Sequence, residues 1–236
     1  MRLSIIIPLY NEQDLICTTL QSLIDVTLPS CVDFFEIIIL DDCSTDQSNA
    51  VVSAFIKDKS FIQLHKHTIN KGKGAAVRTA IEFASGNAFL IQDADLELSP
   101  TDIPVMIQTM EELNIEFING SRYMSGVIRP LYSYRRYLFN KLFTLITSII
   151  IDVKLTDMAC GYKLFTRNLY ESIQLKENRF GFEAELIIKA IRIKKKNIAE
   201  VPVKYFPRNN EEGKKLNNMD GLRILKTIFK YGILKS

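Results

Sequence analysis

The strongest constraint in this sequence is a recurrence: short apolar runs that each stop at a polar or acidic turn. Leu3-Ser4-Ile5-Ile6-Ile7-Pro8 leads into Asn11-Glu12, Phe35-Glu36-Ile37-Ile38-Ile39-Leu40 into Asp41-Asp42, and Ala88-Phe89-Leu90-Ile91 into Asp93. Runs this short and this rich in isoleucine describe strands buried on both faces, as in a parallel sheet. Between them lie stretches with helical spacing, at residues 12–24, 46–56 and 72–84, and a weaker strand at 61–64. Strands alternating with helices of about a dozen residues define βαβ units, hence an α/β fold with a mostly parallel central sheet flanked by helices. Ligands of such sheets bind at the carboxyl ends of the strands. Pro8, Glu12, Asp41, Asp42, Asp93 and Asp95 all fall at those ends and should converge on one crevice.

Asp93-Ala94-Asp95-Leu96-Glu97 concentrates the demand, with three carboxylates in five residues at a buried strand's end. Unpaired charges resist leaving water, and a divalent cation removes that cost. Mg²⁺ and Mn²⁺ are hard ions that take a few carboxylates and complete their shell with water and substrate phosphates. Read alone, so short a pattern describes a turn with solvated acids at least as well. Asn70-Lys71-Gly72-Lys73-Gly74 opens the third helix, where backbone N–H groups and lysine charge suit a phosphate. Its spacing is neither that of a P-loop nor G-x-G-x-x-G. A glycine turn demanded by the strand-to-helix connection accounts for it more simply.

The second half is expected to continue with a strand at 115–119, a helix at 134–151, a loop at 156–162 entering a strand, a helix to about 196, a short strand at 201–203 and a last helix at 220–235. Arg122, Arg135 and Arg136 cluster before the 134–151 helix and could clamp an anion, since guanidinium binds phosphate at two points; surface arginines pairing with acids would look the same. In the last helix Leu222, Leu225, Phe229 and Ile233 share one face and Arg223, Lys226 and Lys230 another. Such a helix can lie on an anionic membrane or pack on the domain.

Composition narrows the classes. With 47% hydrophobic and 24% charged residues over 236 positions, the chain suits one large domain. Charge is uneven. Residues 1–185 hold 17 Lys and Arg against 23 Asp and Glu, a balance of −6, whereas residues 186–236 hold 13 against 4, a balance of +9. The basic end suits an anionic partner or is a solvated tail. No aromatic stacking motif accompanies it, so nucleic acid is not expected. Cys17, Cys31, Cys43 and Cys160 form no C-x-x-C pair, and with only His65 and His67 a zinc site is not expected. Met1-Arg2 runs straight into a strand, and the longest apolar stretch, 138–151, is broken by Asn140 and Lys141, short of the roughly 20 residues a span needs. These features lead to the expectation of a cytoplasmic protein with reduced thiols, peripheral at the membrane and without a transmembrane helix.

Taken in order, the motifs resemble the family 2 glycosyltransferases of GT-A fold, and in particular their polyprenyl-phosphate branch, the dolichyl-phosphate mannose synthases and β-glucosyltransferases. Pro8-Leu9-Tyr10-Asn11-Glu12 resembles the opening P-x-Y-N-E. Leu40-Asp41-Asp42-Cys43-Ser44-Thr45-Asp46 resembles D-D-x-S-x-D, with Cys43 where glycine or aspartate is usual. Asp93-Ala94-Asp95 matches D-A-D, and Gly120-Ser121-Arg122-Tyr123 matches G-S-R-Y. Cys160-Gly161-Tyr162-Lys163-Leu164-Phe165-Thr166-Arg167 is close to the glucosyltransferases' C-G-F-K-L-F-T-R, and Arg179-Phe180-Gly181-Phe182-Glu183 with Glu185 is also similar. Gly213-Lys214-Lys215-Leu216 resembles G-x-S-K-L with Lys214 for serine. The likeness runs from Ser4 to about Leu216, which implies a GT-A (Rossmann-like) domain over 1–216. The basic helix, 217–236, then belongs to that domain or to a membrane contact.

The resemblance implies roles. Pro8, Tyr10, Glu12, Leu40, Asp42, Lys73, Asp93 and Ala94 would bind a UDP- or GDP-hexose. Asp93, Asp95 and Glu97 would hold Mg²⁺ or Mn²⁺, with Glu97 standing where the mannose synthases have glutamine. Arg122, Arg136 and Asn140 would hold the phosphate of a polyprenyl acceptor, and Lys215 would close over the diphosphate. Asp157 is the family's base, expected here to orient rather than deprotonate. The implied reaction inverts the anomeric centre, with UDP-glucose the favoured donor and GDP-mannose next. Two other readings stay open, a family 2 enzyme with a saccharide acceptor and a nucleotide-sugar binding module without turnover.

Overall fold

The computed structural model describes residues 1–125, 133–194, 197–208 and 218–234. Seven strands, β1 (Arg2–Leu9), β2 (Phe34–Asp41), β3 (Ile62–Lys66), β4 (Ala88–Ile91), β5 (Phe117–Ser121), β6 (Lys163–Thr166) and β7 (Ile198–Pro202), form one sheet in the order β3-β2-β1-β4-β6-β5-β7. β6 runs antiparallel to both β4 and β5, and every other pairing is parallel. The mostly parallel sheet expected from the isoleucine runs is present. Strands β1, β2 and β4 are fully or largely buried, as their lack of alternating polarity requires, whereas edge strand β3 buries only Ile62.

The sheet separates two apolar cores, and the period of two decides which strand residue joins which. Ile6, Ile38, Leu40, Phe89 and Ile91 face one layer, containing α3 (Lys73–Phe83), α5 (Tyr134–Ile151), α6 (Arg167–Ser172), α7 (Phe182–Lys194) and α8 (Asn218–Gly232). Leu3, Ile5, Ile7, Ile37, Ile39 and Leu90 face the other, containing α1 (Ile16–Ile24), α2 (Ser48–Phe55) and α4 (Ile103–Leu113). A fully buried isoleucine contributes about 1.5–3 kcal/mol, so the runs that mark the strands also hold the layers together.

Several expected bounds move. The first helix begins at Ile16 rather than residue 12, because the Glu12 carbonyl accepts from Leu15 and Ile16 in a preceding turn. The second begins at Ser48, since Asp46 spends its carboxylate on the Ser48 and Gln13 amides across the turn. Helices α4 and α6 are not among the expected elements.

The last helix docks on α7 and α5, but not by the expected stripe. Ile224, Thr227, Ile228 and Tyr231 are buried, while Leu222, Phe229 and Ile233 are largely exposed. Apolar residues occupy more of this helix's circumference than one contact can cover. Among the described residues no helix is long and apolar enough to cross a membrane.

Candidate active site

The carboxyl ends of β1, β2 and β4 lie side by side, with β1 flanked by the other two, and each is followed by a residue in the left-handed region. These are Asn11 (φ 50°), Cys43 (φ 64°) and Leu96 (φ 57°). Such conformations cost a non-glycine residue free energy and gather where a loop must turn sharply to present side chains. The Cys43 angle also explains why glycine or aspartate suits that position in the resembling sequences.

At β4, two cations already sit on the acids. Lys73 Nζ lies 2.6 Å from Asp93 Oδ1 and 2.7 Å from Glu183 Oε1. Burial opposes the Lys73 charge, but the two carboxylates outweigh it and raise its pKa above the ordinary lysine value. Arg208 forks onto Glu12 (Nη1–Oε2 2.8 Å, Nη2–Oε1 3.0 Å) and reaches Asp95 Oδ2 at 3.0 Å. Burial, then the charges of Asp93 and Glu97, push the Asp95 carboxyl up to about 6. Clustered carboxylates repel one another and suit a cation, so the donor chemistry fits a hard metal ion.

The three expected metal ligands do not all point to one place. Among the described residues no three His, Cys, Asp or Glu side chains converge as ligands. Glu97 turns away onto the segment after β7, accepting from Arg208 N at 2.9 Å and Tyr205 Oη at 3.1 Å. Asp93 and Asp95 remain, and one or two carboxylates completed by substrate phosphates is an ordinary Mg²⁺ arrangement.

The nucleotide-side expectations also sharpen. Asp42 accepts from Gly72 N (2.6 Å), Lys71 N (2.9 Å) and His67 Nδ1 (2.7 Å). A carboxylate has about four acceptor directions, so this one chiefly holds the 67–72 loop. The same bonds take the Lys71 and Gly72 amides of the Asn70–Gly74 segment away from a phosphate. Gly72 there has φ 96°, so the turn itself requires glycine. Pro8 and Tyr10 are half-buried at the end of β1. The Leu40 and Ala94 side chains are buried in the two apolar cores, and the Ala94 carbonyl accepts from Thr19 Oγ1 at 3.1 Å. Glu183, absent from the expected site residues, joins the site through Lys73.

Across from the acids lies Asp157, with no exposed surface. Arg122 holds it at two points, Nε–Oδ2 2.6 Å and Nη2–Oδ1 2.8 Å, and Arg122 N adds a bond to Oδ2 at 3.1 Å. Burial disfavours the guanidinium charge, but Asp157 more than restores it and holds the Arg122 pKa well above its usual value. The loop carrying Asp157 is fixed from below. Glu200 accepts from Thr156 N at 2.8 Å, Asn119 Nδ2 donates to the Asp157 carbonyl at 2.8 Å, and buried Lys163 donates to the Cys160 carbonyl and Asn119 Oδ1, both at 2.8 Å. Gly161 brings this loop onto the acids, where a Cβ would collide with the Asp93 carboxylate. Asp157 and Asp93 thus belong to one site.

The expected three-residue phosphate clamp is partly assembled. Asn140 Nδ2 bonds Tyr123 Oη at 3.1 Å, and Arg136 lies one turn earlier on the same face of α5. Arg122 spends Nε and Nη2 on Asp157. Lys141, noted from sequence only as a break in an apolar run, stands 4.6 Å from the Tyr123 ring centre and 3.4 Å from the Thr156 carbonyl. Lys215 lies outside the described residues.

The carboxyl ends of the parallel strands thus gather paired acids and, with the loop before β6, a buried arginine–aspartate pair. The model of glycosyl transferase family 2 matches residues 4–174, and the chain belongs to that family. It is 29% identical over 235 residues to a dolichol-phosphate mannosyltransferase of Pyrococcus furiosus, an alignment covering 98% of this chain and 62% of the relative. It is 28% identical over 248 residues to a dolichyl-phosphate beta-glucosyltransferase of Trichomonas vaginalis, covering 98% and 73%. The chain therefore spans a little under two thirds of the first relative's length. Among solved structures, glucosyl-3-phosphoglycerate synthase of Mycobacterium tuberculosis with UDP superimposes with a TM-score of 0.75 at 17% identity, covering 98% of this chain and 80% of that one. That likeness concerns the fold.

Proposed function

We propose that the protein transfers a hexose from a nucleotide sugar to the phosphate of a polyprenyl phosphate, inverting the anomeric centre. The observation that carries this reading is the locking of Asp157. Its carboxylate oxygens accept three bonds from Arg122, so the acid at the base position is poorly placed to take a proton from a sugar hydroxyl. A phosphate acceptor needs no such help, being anionic near neutral pH. One of its oxygens attacks the anomeric carbon, the bond from that carbon to the nucleoside diphosphate breaks, and the diphosphate leaves with the electron pair. Asp157 then serves by fixing Arg122, whose guanidinium would contact the acceptor phosphate.

Asp93 and Asp95 would hold Mg²⁺ or Mn²⁺, which supplies Lewis-acid stabilisation to the departing diphosphate. Glu12 and Asp42 border the nucleoside, and Lys73 holds Asp93 in place. UDP-glucose is favoured as donor by the likeness of residues 157–167 to the glucosyltransferases, with GDP-mannose next. The Mycobacterium tuberculosis neighbours with Mn²⁺ and UDP-glucose are consistent with a metal and uridine donor.

Helix α5 supports a lipid acceptor. Leu138, Leu142, Leu145 and Ile149 form an exposed apolar stripe along it, on the face opposite Arg136 and Asn140. Such a stripe can lie on the acyl chains of a bilayer that carries the acceptor while the opposite face stays with the domain. Together with exposed Leu222, Phe229 and Ile233 and basic Arg223 and Lys226 on α8, this face suits an anionic membrane surface. The test is transfer from radiolabelled UDP-glucose and GDP-mannose to a short polyprenyl phosphate, with Mg²⁺, Mn²⁺ or EDTA. Metal-dependent lipid product from one donor supports the reading. Transfer to a free saccharide alone would replace it with the saccharide-acceptor enzyme.

A further inference from the structure

Arg208 occupies a position that the chemistry of the site cannot tolerate throughout a reaction cycle. Its guanidinium makes a two-point contact with Glu12 and a third contact with Asp95 Oδ2, the oxygen left over after Asp95 Oδ1 accepts from Glu97 N at 3.1 Å. The Arg208 side chain is 14% exposed, against 8% for Glu12 and 20% for Asp95, so the contacts are sheltered from solvent screening. Charge-assisted, two-point contacts of this kind are the strong ones. A divalent cation bound to Asp95 Oδ2 would stand where the guanidinium stands now.

The backbone around Arg208 is held independently of that contact. Phe206 N donates to the Glu97 carbonyl at 2.9 Å, Arg208 N to Glu97 Oε1 at 2.9 Å and Tyr205 Oη to Glu97 Oε2 at 3.1 Å. Lys204 N is bonded to Asp102 Oδ2 at 2.6 Å, and Tyr205 bridges Leu98 as an isolated strand pair. The root of the segment is therefore fixed, and only the flexible side chain need move. Glu97, although it lies in the acidic run, acts as this root's anchor.

We propose that Arg208 is the resident counter-cation of the metal-free site, competing with the divalent ion for Asp95 and covering Glu12 until the ion displaces it. Metal entry then also uncovers Glu12, on the nucleoside side, so one side chain ties the readiness of the two subsites together. Displaced from the carboxylates on a fixed root, the guanidinium stays beside the crevice that receives the diphosphate. The inference rests on the assignment of Asp93 and Asp95 to a metal but not on the sugar or the acceptor.

The experiment measures binding of bare Mn²⁺, without nucleotide, by the electron paramagnetic resonance signal of the free ion, alongside melting temperature in EDTA and in Mn²⁺. Arg208→Gln removes the competitor and should bind Mn²⁺ about tenfold more tightly than the native protein, equivalent to ~1.4 kcal/mol. In EDTA it should melt lower than the native protein, and Mn²⁺ should raise its melting temperature by more. Arg208→Lys keeps the charge without the fork and should fall between the two. Unchanged or weaker Mn²⁺ binding by both variants overturns the proposal while leaving the metal assignment standing. Absence of Mn²⁺ binding by native and variant proteins alike overturns the metal assignment, and the proposal with it.

Discussion

Arg122 and Asp157 meet side-on, Nε to Oδ2 at 2.6 Å and Nη2 to Oδ1 at 2.8 Å, with Asp157 wholly enclosed. Removing one partner of a buried pair strands the other charge and costs about 3–5 kcal/mol, far more than the pair is worth against an apolar replacement. Asp157→Ala and Arg122→Met should each destabilise on that scale, and the double variant should cost ~2 kcal/mol less than their sum. Urea unfolding of the four proteins measures this. The pair's role in turnover has a separate signature. Residual transfer by Asp157→Asn should keep the native pH dependence, because the carboxylate positions Arg122; loss of the acidic limb, the fall in rate at low pH, would show that it takes a proton.

The acids at the end of β4 give a prediction about metal removal. Lys73 and Arg208 already balance Asp93 and Asp95, so the fold does not depend on a bound ion, whereas the chemistry does. EDTA should abolish transfer while shifting the melting temperature by no more than about 3 °C, the scale of ~1 kcal/mol for a chain this size. Asp95→Asn should also abolish transfer. Its melting temperature in EDTA should not fall, because burial and the neighbouring charges of Asp93 and Glu97 make the ionised Asp95 costly. A large drop in either measurement would mean that the site is structural.

How much of this was legible in the sequence depends on how local its cause is. The sheet could be read because Ile5-Ile6-Ile7 and Ile37-Ile38-Ile39 require burial on both faces, a property of the residues themselves. The converging acids followed from a rule about strand ends. The antiparallel insertion of β6 between β4 and β5 could not be read, since pairing partners lie more than 70 residues apart, as for Leu90 and Leu164. Nor could the turning of Glu97 onto Tyr205 and Arg208, more than a hundred residues away. Helix α4 was readable but missed: Ser99 and Pro100 mark a start, and Ile103, Met106, Ile107 and Met110 recur at helical spacing. Lys73 and Glu183 were each inside a noted motif, and only the fold shows that they share a bond.

Lys163 supplies the third prediction. It has no exposed surface, and its ammonium is divided among Asn119 Oδ1, the Cys160 carbonyl and the Met158 carbonyl at 2.8, 2.8 and 3.3 Å. Burial lowers its pKa below the usual lysine value, so its charge is held at a cost in order to bind these acceptors. Lys163→Met leaves them unsatisfied and should destabilise by roughly 2–4 kcal/mol, since each orphaned buried group costs about 1–3 kcal/mol. Because the loop it ties down carries Asp157, kcat should fall at least about tenfold, or ~1.4 kcal/mol in barrier, while the donor KM changes little. An equal rise in donor KM would place Lys163 in nucleotide binding instead.

The last prediction concerns the exposed stripe on α5. Leu145 and Ile149 are 57% and 71% exposed, so burying them in the fold cannot be their task. Single apolar residues at a surface need no explanation, but four at helical spacing, beside the apolar and basic residues of α8, form a patch of the kind that marks an interaction site. If that partner is an anionic bilayer, the native protein should co-sediment with vesicles containing phosphatidylserine and be partly released by salt, which screens the basic side chains. Leu145→Glu/Ile149→Glu should lose that binding with its melting temperature unchanged, because surface substitutions usually alter stability by less than about 0.5 kcal/mol each. Its transfer to a water-soluble, short-chain acceptor should stay near the native rate while transfer to vesicle-borne acceptor falls. Equal vesicle binding by native and variant proteins would move the contact elsewhere, to the basic face of α8 alone.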